Sequence, residues 1–178
     1  MSWFRDLLER VEFMEHWLQN GQPFCFWISG FFFPQGFMTG VLQTHSRKHK
    51  VAIDMLNFSF KVLEDDHDQL DHHPKDGVYI YGLFMDGARW DRVENAIDDQ
   101  LPGEMYSHMP VILFKPMENY LLNQEDYQCP IYKTSVRAGV LSTTGQSTNY
   151  ILAVDLPTSQ TPSYWTLKGT ALLCQLND

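Results

Sequence analysis

Basic residues are scarce in this chain: 13 Lys and Arg stand against 22 Asp and Glu, for a formal net charge of −9. Phosphates demand a basic face, so neither nucleic acid nor an anionic membrane surface is expected as a partner. Cysteine is scarce too. Cys25, Cys129 and Cys174 are odd in number, far apart and without a Cys-x-x-Cys pair. That argues against a disulfide framework or a thiolate zinc site and fits buried thiols in a reducing compartment. Long apolar runs are missing: residues 24–33 are interrupted by Ser29 and Gly30, and fall far short of the roughly 20 residues that a membrane span needs. No basic stretch followed by an apolar run opens the sequence, so no signal peptide is expected.

The catalytic motifs are also incomplete. Between Ser135 and Tyr150 the sequence is rich in glycine and hydroxyls. A phosphate loop needs a lysine after its second glycine, yet Gly139 and Gly145 are followed by Gln146. A hydrolase elbow needs Gly-x-Ser-x-Gly, and Gly145-Gln146-Ser147-Thr148-Asn149 lacks the closing glycine. Ser142, Thr143, Thr144, Ser147 and Thr148 have no adjacent histidine or lysine to activate them. The segment reads as a link between two strands.

What is present is a folded core. Hydrophobic residues make up 44% of 178 and aromatic residues 14%, which argues against disorder. Helical period opens the sequence, with Phe4, Leu7, Leu8, Val11, Met14 and Leu18 on one face. Asn20-Gly21 and Pro23 stop it. Pro34 marks the start of a second helix, with Phe37, Val41 and Leu42 as its apolar face and Arg47-Lys48-His49-Lys50 as a cationic end. From residue 52 the period becomes that of strands. Residues 56–62 alternate, residues 78–85 form a strand with a bulge at Gly82, and Asp86-Gly87 turns a hairpin towards Trp90. Residues 110–114 are a strand stopped by Pro116. Residues 129–134 are another, its Pro130 favouring an edge. Residues 149–156 and 170–176 complete the set, separated by a turn-rich link at 158–163. Two helices followed by about six or seven antiparallel strands suggest a barrel or a sandwich.

Two polar constellations invite chemistry. His67, His72 and His73 lie with four aspartates in the run 65–73; they would serve a metal-dependent enzyme, but read more simply as a solvated loop without a rigid supporting shell. Asp86, Trp90 and Asp91 would suit a barrel-fold module that binds a carbohydrate or another small ligand. The plainer reading is a hairpin whose tryptophan fills the core, with Arg89 and Asp91 paired on the opposite face.

Several segments taken in order resemble one family. They are Phe26-Trp27-Ile28-Ser29-Gly30-Phe31-Phe32-Phe33-Pro34-Gln35-Gly36-Phe37, continuing through Gly40-Val41-Leu42-Gln43; the run from Asp76 to Asp91; Cys129-Pro130-Ile131-Tyr132-Lys133-Thr134; and Trp165-Thr166-Leu167-Lys168-Gly169-Thr170-Ala171-Leu172-Leu173-Cys174. Together they resemble the C-terminal domain of dynein heavy chains, from about residue 24 to the end. The segment 141–149 resembles axonemal chains of the inner arm, with Gln146 where relatives often carry histidine.

The resemblance implies an α+β fold: N-terminal helices followed by an antiparallel, incomplete β-barrel. Residues 1–50 would be a helical segment packing on the barrel and on the motor ring, and 51–178 the barrel, together one domain. It implies a non-catalytic regulatory role: no ATPase motif, cofactor or metal in this part, and contact with the AAA+ ring of the same heavy chain. Microtubules would be reached only indirectly. The setting would be the cytoplasmic axoneme of cilia or flagella, where the domain tunes processivity and force. Phe4, Leu7, Leu8 and Val11 are the residues expected to dock on the ring.

Overall fold

A computed structural model of the protein describes residues 2–137 and 148–176. Its first helix, α1 (Ser2–Asn20), ends at Gly21, whose φ of 87° is the left-handed value that glycine tolerates. A short strand β1 (Cys25–Trp27) and a single 3-10 turn (Ile28–Gly30) lead to α2 (Pro34–His49). Pro34 occupies the first turn of α2, where its missing N–H costs nothing. Lys50 closes the helix in left-handed geometry.

The strands that follow are β2 (Leu56–Val62), β3 (Val78–Tyr81), β4 (Phe84–Asp86), β5 (Arg89–Asp91), β6 (Ala96–Asp98), β7 (Tyr106–His108), β8 (Ile112–Glu118), β9 (Tyr127–Tyr132) and β10 (Tyr150–Leu156). A third helix, α3 (Pro162–Lys168), precedes the last strand, β11 (Ala171–Leu173). The described strands form three sheets, ordered β1-β3-β8-β2, β10-β9-β11-β4-β7 and β5-β6.

The fold is mixed α+β with N-terminal helices, as expected, but the expected antiparallel, incomplete β-barrel is not confirmed in three respects. The described sheets do not close into a barrel. Two pairs are parallel, β1 with β3 and β11 with β9. The expected strand over 78–85 is two strands in different sheets, split at Gly82 with φ 83°. Accordingly β4 and β5 do not pair across Asp86-Gly87; the hairpin comes one step later, between β5 and β6. Its turn is held by Asp91, whose Oδ1 accepts the N–H groups of Val93 and Glu94 at 2.8 and 3.1 Å.

Two prolines expected to limit strands are accommodated within them. Pro116 lies in β8 opposite Phe58, beyond the stretch of β8 that pairs with β3. Pro130 lies in β9 opposite Ala153, before the stretch that pairs with β11. Each proline therefore sits where its strand has a neighbour on one side only, and a missing N–H breaks no second ladder. The unexpected helix α3 carries its own signals, Pro162 in its first turn and Gly169 as a left-handed cap at φ 73°.

One connected core joins the two large sheets, with Ile80, Leu83, Met85, Ile112, Phe114, Ile131, Leu156, Trp165 and Leu172 at its centre. The three cysteines are buried and free. Burial raises every thiol, Cys25 and Cys174 to about 12, so none is an activated nucleophile. No described helix is long and apolar enough to cross a membrane.

Candidate interaction surface

Helix α1 is fixed to the domain by two aromatic side chains four residues apart, Phe13 and Trp17. Phe13 makes edge contacts with Trp17, Trp27 and Phe31 at ring separations of 6.3, 6.0 and 6.0 Å. Trp17 meets Phe26 at 5.3 Å and Phe31 at 6.2 Å. Phe31 in turn stacks on Phe37 of α2 at 4.1 Å. Gly30 gives Phe13 its seat: a Cβ there would lie 2.6 Å from the Phe13 ring.

Anchoring through Phe13 and Trp17 turns the other apolar stripe outward. Phe4, Leu8, Val11 and Leu18 are 58, 46, 45 and 87% exposed. Of the four residues expected to dock, Phe4, Leu8 and Val11 thus share the open side, and Leu7 is half-buried. Phe32 and Phe33 are exposed as well. The Arg10 guanidinium lies 5.4 Å from the Phe32 ring centre, which brings that ring beside the helix. An apolar stripe on an already anchored helix, enlarged by exposed aromatics, is the kind of surface that binds protein.

The other expected constellations are not assembled. His67 stacks on Tyr81 at 4.2 Å, His72 Nδ1 lies 2.7 Å from Asp71, and His73 packs edge-on against Phe24 at 4.9 Å. They do not form a metal-ligand group among the described residues. Trp90 is only 9% exposed. It borders a cavity of about 500 Å³ with Phe60 and Asp155, but neither Asp86 nor Asp91 lines it. Asp86 instead accepts from Arg137 at 2.5 Å, and Asp91 pairs with Arg89 at 2.9 Å. That Arg89–Asp91 pair is the one expected opposite Trp90.

Of the glycine and hydroxyl run from Ser135 to Tyr150, residues 138–147 lie outside the described residues. Its described ends fit a link between β9 and β10. Asn149 Oδ1 accepts the Thr134 N–H at 3.2 Å, and its amide donates to Thr134 Oγ1 at 3.2 Å and to the Val136 carbonyl.

The fold assembles a further polar group. His45 and His49, one turn apart on α2, meet Asp76 from the loop before β3. Asp76 Oδ1 lies 2.9 Å from His49 Nε2, 2.8 Å from Lys48 Nζ and 3.7 Å from His45 Nδ1. The hydrogen bonds from Lys48 and His49 hold Asp76 down at about 2. Burial, and then His49, lower the pKa of His45, with Asp76 opposing. The visible signal was the His-x-x-x-His spacing, which reads equally well as the cationic end of a helix.

The family follows from comparison with known proteins. The profile of the C-terminal domain of dynein heavy chains matches residues 1–174. This protein belongs to that family. It is 46% identical over 99% of its length to human dynein axonemal heavy chain 6 and 49% identical over 99% to rat dynein axonemal heavy chain 1. Mouse dynein axonemal heavy chain 3 is 47% identical over 97%. The sequence spans only 5, 4 and 4% of these three relatives, so it matches a small part of a heavy chain. The family resemblance seen in its motifs is therefore shown, and so is its relation to axonemal chains.

Proposed function

We propose that this protein is the non-catalytic C-terminal regulatory domain of an axonemal dynein heavy chain of the inner arm. In this reading the segment 1–50 packs both on the strands of 51–178 and on the AAA+ ring of the same heavy chain. The domain biases the ring's conformations by contacts that differ between them, and so tunes microtubule-based motility in a cilium or flagellum. It needs no cofactor of its own.

The observation that carries the reading is the outward stripe of α1. Phe13 and Trp17 already satisfy the domain's own core, so Phe4, Leu8 and Val11 are surplus to folding. The relatives support an occupant within the same heavy chain, because in each the matching region is a few per cent of a far longer polypeptide. Burying such a stripe favours docking by about 25 cal/mol for each Å² of apolar surface removed from water.

The test is microtubule gliding by the intact motor bearing Leu8→Asp and Val11→Asp. The expected result is altered gliding velocity with ATP turnover by the ring retained. Unchanged velocity and unchanged docking would reject the assignment.

A further inference from the structure

We propose that His45, His49 and Asp76 form a divalent transition-metal site, suited best to Zn²⁺. Residues four apart on a helix lie on one face, so α2 presents both imidazoles to the same loop. The three side chains each bring a ligand atom within 4.8 Å of the others. The two separations to Asp76 Oδ1, 2.9 and 3.7 Å, bracket the spacing of about 3.3 Å between neighbours in a tetrahedral Zn²⁺ shell with bonds near 2.0–2.1 Å. Two imidazoles and one carboxylate are a borderline donor set, which favours Zn²⁺ over Mg²⁺ or Ca²⁺.

A second observation points the same way. His45 has only 13% of its side chain exposed, and its Nδ1 has no hydrogen-bond partner among the described residues. Such a buried nitrogen is costly unless something fills its lone pair. His45 and Asp76 also line a cavity of about 400 Å³ between α1, α2 and the start of β3. The cavity has room for a water in the fourth position of an open site.

Lys48 is the competitor. Its ammonium holds Asp76 Oδ1 at 2.8 Å and the Lys75 carbonyl at 3.0 Å. A metal ion would take its place on the carboxylate and release it towards solvent, where half of its side chain already lies. The Glu118 carboxylate also acts on His45 electrostatically. Binding would tie the end of α2 to the loop entering β3. This inference stands independently of the docking proposed for α1.

Zinc chloride alone, titrated calorimetrically into the full 178-residue protein, tests it. The expected result is one Zn²⁺ per molecule and a raised thermal midpoint. His49→Ala should weaken binding at least about tenfold, the loss usual even for outer partners of a metal. A variant with His67→Ala, His72→Ala and His73→Ala should bind as the parent does. Lys48→Met, which keeps all three ligands and removes the competitor, should bind more tightly; this variant decides the matter should His49→Ala fail to fold. The site is overturned by the absence of stoichiometric binding, by parental affinity in His49→Ala, by loss of binding in the triple variant, or by unchanged affinity in Lys48→Met.

Discussion

Gly82 lies against the indole of Trp27. A Cβ at position 82 would stand 2.6 Å from Trp27 Cδ1, and the glycine holds φ at 83°. This contact sets the crossing point at which the backbone leaves the sheet of β3 and enters that of β4.

Gly82→Ala is expected to be severe for a change of one methyl group. The left-handed backbone costs a residue with a Cβ about 1–2 kcal/mol, and crowding a packed aromatic adds about 1–3 kcal/mol. Chemical denaturation should report a loss of roughly 2–5 kcal/mol on those two grounds. A loss under about 0.5 kcal/mol, the usual surface value, would mean that the crossing point is not constrained.

The two faces of α1 should respond unequally in the isolated domain. Phe13→Ala removes an aromatic from the cluster with Trp17, Trp27 and Phe31 and should cost about 2–4 kcal/mol, since the site is partly buried. Leu8→Asp touches the open side and should change stability by no more than about 0.5 kcal/mol. Equal losses measured by thermal unfolding would contradict the division of the helix into anchored and free faces.

Acid should weaken the fold in two stages. His45 has a folded pKa below its unfolded value, so the unfolded state takes up the proton first and stability falls as pH drops below about 6.5. Asp76 is held at about 2, and its contribution is present above the ordinary carboxylate value of about 3.9 and lost as pH falls from there. His45→Gln should remove the upper stage and Asp76→Asn the lower, in unfolding midpoints measured from about pH 8 down to the acid range where Asp76 titrates. A profile unaltered by either change would reject these two groups as the source.

Asn149 closes the base of the link between β9 and β10 through Thr134 and Val136. Asn149→Ala leaves those partners unsatisfied in a half-buried setting and should cost about 1–3 kcal/mol in denaturant. No loss would show that water replaces the amide freely.

Much of the helical frame was legible from local punctuation: Gly21 ends α1, Pro34 starts α2, and alternation marks β2. The family was legible too, because ordered motifs such as the run around Ile28-Ser29-Gly30 are specific in combination. Sheet membership was not. Residues 78–85 form one continuous apolar run, and its division depends on Trp27, far earlier in the sequence, lying where Gly82 must turn. The places of Pro116 and Pro130 within strands are hidden for the same reason, since their tolerance depends on which neighbour ends where. The helical period of α1 identified the stripe Phe4-Leu7-Leu8-Val11, but the side buried was chosen by Phe13 and Trp17 and by the space left at Gly30, which leaves Leu7 half-buried. His45 and His49 were visible as a helical pair. Asp76, the group that gives them a shared position, reaches them only through the fold.

In the proposed function the open face of α1 is covered in the motor. Leu8→Cys provides the most direct measurement, because Cys25, Cys129 and Cys174 are buried with raised pKa values and react little. Its labelling rate is to be compared between the isolated domain and the intact motor. Rapid labelling of the isolated domain and protection of at least about tenfold in the motor is the predicted result, since thiol reactivity follows access. Equal rates in both would contradict docking through this face.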